Sequence, residues 1–253
     1  MAIKTNQNKL ALHVPCLLDQ YMPETVFNMV KHLEKLGFTI EYPENQTCCG
    51  YPALDYGLTD QAKEVGEKFL TEFTGQFPSV SAGTVCVNAI RNWYGDLFNN
   101  SMQHNNCKRT QKNFFHFTEL LLQQKNNDKI TYKGIDKNAT WIHSCMAKNI
   151  CDINEIQQHI LDKFENTTFE IIGQEPTFCC GFGGWFSSHH PEVAEQKTAS
   201  LVTQLKASGH TTVIIDEPGC LIHLQTYFKA NNIHINIVHP ADFIEEINIK
   251  KDE

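Results

Sequence analysis

The sequence predicts an α/β protein of two similar lobes, each a small parallel-sheet βαβ unit with cysteines on its strand-to-helix loops. Three observations predict it. Short apolar or β-branched runs alternate with longer stretches whose apolar residues recur every three to four positions. Cysteines fall where the strands end. The whole pattern occurs twice, with equivalent cysteines offset by 129, 131 and 134 residues.

Taken in order, the first strand of each lobe, 10–14 and 140–143, runs into a cysteine, Cys16 or Cys145. An amphipathic helix follows in each, 23–36 and 153–164. In the first of these Val26, Met29, Val30, Leu33 and Leu36 share a face, and Gly37 supplies the stop. Second strands at 38–42 and 168–172 lead to the turns Cys48-Cys49-Gly50 and Cys179-Cys180-Gly181, and helical patterns occupy 59–73 and 191–207. A third strand, weak in the first lobe, is expected at 84–87 and 212–216, around the last cysteines, Cys86 and Cys220. Helices at 89–98 and 221–230, closing strands at 113–117 and 233–238, and short helices from Thr118 and Pro240 complete the units. Strands alternating with helices imply parallel pairing. Residues 126–138 have the Asn, Asp and Lys content of a linker, so the expected domains are 1–135 and 136–253.

Composition excludes several function classes. With 41% hydrophobic and 20% charged residues the chain lies outside the disordered regime. The formal charge of -8 opposes binding to a phosphate backbone, so no nucleic-acid partner is expected. Only Arg91 and Arg109 could provide planar bidentate recognition of an anion. No apolar run approaches the ~20 residues of a membrane helix, and residues 1–12 do not read as a signal peptide. Ten cysteines in a chain of this kind point to metal or redox chemistry in a reducing, cytoplasmic compartment.

Eight of the ten form two copies of one set. Cys16 is followed after 31 residues by Cys48-Cys49 and after 36 more by Cys86; Cys145 is followed after 33 by Cys179-Cys180 and after 39 more by Cys220. Ligands collect outside the carboxyl ends of parallel strands, so each lobe can gather four thiolates at one sheet edge. Structural zinc usually takes two cysteines separated by two to four residues, a spacing that both sets lack. Adjacent side chains diverge, which suits a multi-iron cluster better than a single ion. Gly50 and Gly181 permit positive φ and let backbone N–H groups approach an inorganic core, and Gly183 and Gly184 extend this in the second set. Structural zinc, and cysteines that merely pack as small hydrophobes, remain the bland readings.

The strings Cys48-Cys49-Gly50-Tyr51-Pro52-Ala53 and Cys179-Cys180-Gly181-Phe182-Gly183-Gly184-Trp185-Phe186-Ser187, with Cys16, Cys86, Cys145 and Cys220 at matching distances, resemble the CCG cysteine-rich domain family. Within it the chain, from about Ala11 to Ile244, is similar to the LutA/YkgE group of two-domain subunits. The resemblance implies an iron-sulfur protein carrying electrons in the conversion of L-lactate to pyruvate. It also implies one or two 4Fe-4S clusters held by the eight cysteines, and a complex with a ferredoxin-like iron-sulfur subunit and a third small subunit. Any membrane association at the inner face would come through those partners. Heterodisulfide reductase catalytic subunits are more distant relatives whose third segment carries a further cysteine. Here Ala89 and His223 stand at that place, so disulfide reduction and a five-thiolate cluster lose support.

Cys107 and Cys151 lie outside both sets and are expected to pack. His13, His143, His189, His190 and His223 flank the cysteines, and His223, at the place of the missing thiol, is a candidate ligand or hydrogen-bond donor to one. Arg91 could meet a carboxylate or form an ordinary ion pair. Gly181-Phe182-Gly183-Gly184 lacks the rest of a dinucleotide fingerprint.

Overall fold

The computed structural model describes residues 8–122, 127–149, 151–175 and 178–250. Residues 1–7 and 126, on which parts of the leader and linker readings rest, lie outside these. The chain forms two compact units, Met1–Gln124 and Lys125–Glu253.

In the first unit, β1 (Lys9–His13), β2 (Thr39–Glu41), β3 (Ser79–Ser81) and β4 (Phe114–His116) make a parallel sheet in the order β2-β1-β3-β4. The second unit begins with β5 (Ile130–Gly134). It repeats the sheet with β6 (Asn138–Ile142), β7 (Thr168–Ile172), β8 (Thr212–Ile215) and β9 (Asn236–Val238), in the order β7-β6-β8-β9. The α/β class and the two-fold repeat of parallel sheets are those expected.

Burial sets the elements. Helix Pro23–Lys35 buries Val26, Met29 and Leu33 on one face, with Pro23 in its first turn where no backbone donor is needed. In the first unit Phe69 and Phe73 pack edge-on, and Phe114 at a tilt, around the buried ring of His13, with centroids 5.3 to 5.7 Å away. In the second unit Trp141, Ile214, Leu161 and Phe243 form the core beneath the sheet.

Two expectations need correction. Residues 84–88 form a helix, Thr84–Asn88, and the third strand is the serine-flanked Ser79–Ser81 just upstream. Its Ser-Val-Ser sequence hides a fully buried strand, while Val85 and Val87 have β propensity that tertiary packing overrides. The linker-like segment carries β5, which pairs antiparallel with β10 (Ile244–Ile249). Ile130 and Tyr132 are buried while Thr131 and Lys133, on the other face, are half-buried, and Lys133 meets Glu246 at 2.7 Å, so the polar composition belongs to one face of a strand.

Candidate metal centre

Strand order explains why distant cysteines meet. In each sheet the first strand lies between the second and third, so the loops leaving these three strands are neighbours at the carboxyl edge. Cys16 is the first residue of helix Cys16–Tyr21, Cys48 and Cys49 follow β2, and Cys86 lies in the first turn of Thr84–Asn88. The second unit repeats this. Cys145 opens helix Cys145–Asn149, Cys179 and Cys180 follow β7, and Cys220 lies in the first turn of Pro218–Ala230.

The first unit joins its four thiols in one hydrogen-bonded chain: Cys16 to Cys48, Cys48 to Cys49, and Cys49 to Cys86. In the second, Cys145 bonds Cys179, while Cys180 and Cys220 form a disulfide with Cα atoms 6.1 Å apart. The pairs correspond: the first cysteine of each vicinal pair meets the one after the central strand, and the second meets the one after the third strand. The disulfide departs from the expectation of reduced thiols throughout.

Backbone donors repeat as well. The Leu17 and Met146 N–H groups donate to Cys16 and Cys145, and those of Gly50 and Gly181 to Cys48 and Cys179, the last at 3.4 Å. The Cys48 thiol is pushed well down, first by the hydrogen bond from Cys16 and then by that from Cys49. Cys179 falls to about 6, first through Cys145 and, more weakly, through Gly181 and the charge of Lys197. Their neighbours Cys16, Cys49 and Cys145 are pushed up by the same contacts. In each unit the contacts thus favour the charged form at the first cysteine of the vicinal pair and disfavour it at its neighbours.

A family model for the CCG cysteine-rich domain matches the chain twice, over residues 10–91 and 139–225. The chain belongs to the CCG cysteine-rich domain family. Three similar relatives are named for lactate utilization. Lactate utilization protein A 1 of Bacillus mycoides (strain KBAB4) is 26% identical over 94% of this chain and 97% of the relative. Lactate utilization protein A of Halalkalibacterium halodurans is 24% identical over 97% and 100%, and Lactate utilization protein A 2 of Bacillus cereus (strain Q1) is 23% identical over 93% and 97%.

For this CCG chain an iron-sulfur cluster is the implied group, and the first unit's donors fit it. Four sulfur atoms, soft donors by type, come together from three loops, and backbone N–H groups already point at two of them. The second unit has the corresponding sulfurs and N–H donors, and its set is complete once Cys180 and Cys220 are reduced. Among the described residues no group of three or more His, Cys, Asp or Glu is arranged to hold a single metal ion. The thiols pack on one another instead.

The glycines of the two turns also serve packing. Gly50 (φ +78°) and Gly181 (φ +96°) do adopt the positive φ. A Cβ on Gly50 would meet the Ala62 carbonyl oxygen at 3.3 Å, and one on Gly181 would strike the Thr198 hydroxyl, so each glycine lets its turn lie against a long helix, Thr59–Glu72 or Pro191–Ser208. Gly183 and Gly184, both at positive φ, turn the chain into helix Trp185–His189.

The other flanking residues have defined roles. Arg91 is committed to an ion pair with Glu119 at 2.7 Å and donates to the Phe114 carbonyl at 2.7 Å, over the ring of Phe115. His13 bonds Ser81 Oγ at 3.0 Å, and burial pulls it down to about 4. His143 is also down to about 4, through burial and Lys148. His189 stacks on Trp185 at 4.3 Å, and His190 lies against Trp185 and Phe186. His223 bonds Thr198 Oγ1 at 2.9 Å. Cys107 and Cys151 are buried.

Sequence reasoning missed Tyr94, Thr198 and Lys197. Tyr94 Oη donates to the Cys49 carbonyl at 2.9 Å, and Thr198 Oγ1 lies 3.0 Å from the Cys180 carbonyl. The repeat could not reveal them, because the two hydroxyls come from non-equivalent positions.

Proposed function

We propose that this chain is an iron-sulfur redox subunit that carries electrons in the oxidation of L-lactate to pyruvate within a multi-subunit complex. The observation that carries the reading is the convergence of Cys16, Cys48, Cys49 and Cys86 into one thiol chain, with its counterpart in the second unit. The names of the relatives supply the pathway.

In this reading the eight cysteines hold one or two clusters of 4Fe-4S type, and such a cluster, when bound, supplies reversible one-electron transfer. The chain's own residues present thiolates, direct Leu17, Gly50, Met146 and Gly181 N–H groups at sulfur, and keep the inner sulfurs from solvent. Cys49, Cys86, Cys180 and Cys220 are buried, while Cys16 is exposed and gives each electron a short path to a docked partner. A ferredoxin-like iron-sulfur subunit and a third small subunit complete the assembly.

Thiol-disulfide chemistry is the second reading, favoured by the Cys180–Cys220 disulfide. Ala89 and His223 at the place of a further cysteine count against it.

The test is an anaerobic assay with L-lactate and an artificial electron acceptor, on the cluster-loaded chain alone and then with both partners. Turnover only in the assembly is expected. Turnover by the chain alone would place the substrate site within these residues and overturn its assignment as an electron-carrying subunit.

A further inference from the structure

Each vicinal pair is tied by a hydroxyl to the helix behind it, and the two units do this with different residues. In the first, Tyr94 Oη donates to Cys49 O at 2.9 Å. In the second, Thr198 Oγ1 lies 3.0 Å from Cys180 O and 2.9 Å from His223 Nε2. It also lies 2.9 Å from Ala194 O, one helical turn back.

The exchange is reciprocal. Tyr94 lies eight residues beyond Cys86, and the residue eight beyond Cys220 is Phe228, also buried but without a hydroxyl. Thr198 lies four residues beyond Ala194, whose carbonyl backs Gly181; four beyond Ala62, whose carbonyl backs Gly50, stands Gly66. A Cβ on Gly66 would strike the Phe98 ring at 2.9 Å and meet the Tyr94 ring at 3.3 Å, so the first unit gives up a side chain there to admit both rings. The second unit has the Thr198 hydroxyl at that position and Phe228 at the place of the tyrosine. The hydroxyl on the carbonyl is common to both.

The bonded carbonyl and the Gly N–H belong to the same peptide group. A trans peptide is planar, with C=O and N–H on opposite sides, so fixing one fixes the other. The Cys49–Gly50 peptide accepts from Tyr94 and donates to Cys48 sulfur; the Cys180–Gly181 peptide accepts from Thr198 and donates to Cys179 sulfur at 3.4 Å. Bonds in such a chain polarise one another.

We propose that Tyr94 and Thr198 are positioning residues that act on the cluster through the peptide, aiming the Gly50 and Gly181 N–H groups at Cys48 and Cys179. His223 serves the second relay: with its Nε2–H donating to Thr198 Oγ1, the threonine's single proton is directed to the carbonyls of Cys180 at 3.0 Å and Ala194 at 2.9 Å, which share it. His223 therefore stands at the place of the missing thiol as a support for the turn. The inference rests on the iron-sulfur reading above. Hydrogen bonds to cluster sulfurs tune the potential, and losing a donor to a thiolate makes the cluster harder to reduce.

The experiment is an anaerobic redox titration followed by electron paramagnetic resonance on wild type, Tyr94→Phe, Thr198→Val, Thr198→Ser and His223→Phe. Iron and sulfide are measured on every sample. Tyr94→Phe is expected to shift to more negative potential only the signal that Cys48→Ser removes. Thr198→Val should do so only for the signal that Cys180→Ser removes, with Thr198→Ser restoring the wild-type value and His223→Phe shifting it in the same direction by less. Unchanged potentials in cluster-loaded Tyr94→Phe and Thr198→Val would overturn the proposal, as would nitrogen hyperfine coupling lost in His223→Phe, which would make that histidine a ligand. A wild type without iron and sulfide would overturn the reading on which the proposal rests, and the proposal with it.

Discussion

Gly181 lies against Thr198 so closely that a Cβ on the glycine would collide with the threonine hydroxyl and with the Ala194 carbonyl. At Gly50 the corresponding contact, with the Ala62 carbonyl, is a looser 3.3 Å. Both glycines have positive φ, so alanine at either costs about 1–2 kcal/mol in backbone strain. Overpacking adds roughly 1–3 kcal/mol at Gly181. Gly181→Ala should therefore destabilise its unit more than Gly50→Ala does, measured by chemical unfolding of the metal-free, reduced protein. Equal losses would show that strain alone governs both turns.

Because each unit gathers its own sulfurs, the two sites should empty separately. Cys48→Ser is expected to remove one cluster and leave the other, with Cys180→Ser doing the converse, and each variant retaining about half the wild-type iron if both sites load. A folded single variant that lost all iron would indicate one cluster shared by both sets.

Arg91 holds Glu119 at 2.7 Å, and the same carboxylate oxygen accepts the His116 backbone N–H at 2.7 Å. Little of either side chain meets solvent. Arg91→Met would leave a buried carboxylate without its cation and should cost about 3 kcal/mol of stability. In the assembled complex its KM for L-lactate should stay at the wild-type value. A raised KM with unchanged stability would make Arg91 a substrate anchor.

Asp216 is fully buried, and burial raises its carboxyl to about 6, against the lowering effect of its bond from Gln157. The unfolded chain releases this proton near the ordinary value of about 3.9. The folded state thus holds the proton to higher pH, and stability falls as pH rises from about 4 to about 6, with the full penalty above that. Asp216→Asn should raise the melting temperature of the metal-free protein at pH 7, by an amount worth roughly 2–3 kcal/mol, with the gain vanishing toward pH 4. A gain independent of pH would trace the effect to packing.

Much of the architecture was legible because it follows from periodicity. The runs ending at Cys16 and Cys145 are strands, and the spacing of the cysteines marks the loops that strand order brings together. β3 was hidden by its two serines, one of which is needed by His13, and β5 by the polar face it turns outward. β5 also pairs with a strand more than a hundred residues away, which no local pattern reveals. The eight cysteines were readable from repetition. The hydroxyls of Tyr94 and Thr198 were not, since the same carbonyl contact is made from different helices, and only coordinates show two unlike residues doing one job.

The most direct test of the central claim is the metal itself. Protein prepared anaerobically under reducing conditions should contain iron and acid-labile sulfide in near-equal amounts, about four of each per loaded unit. Its broad visible absorption should bleach on addition of dithionite. Protein that takes up zinc in place of iron after anaerobic reconstitution, colourless and without sulfide, would contradict the account.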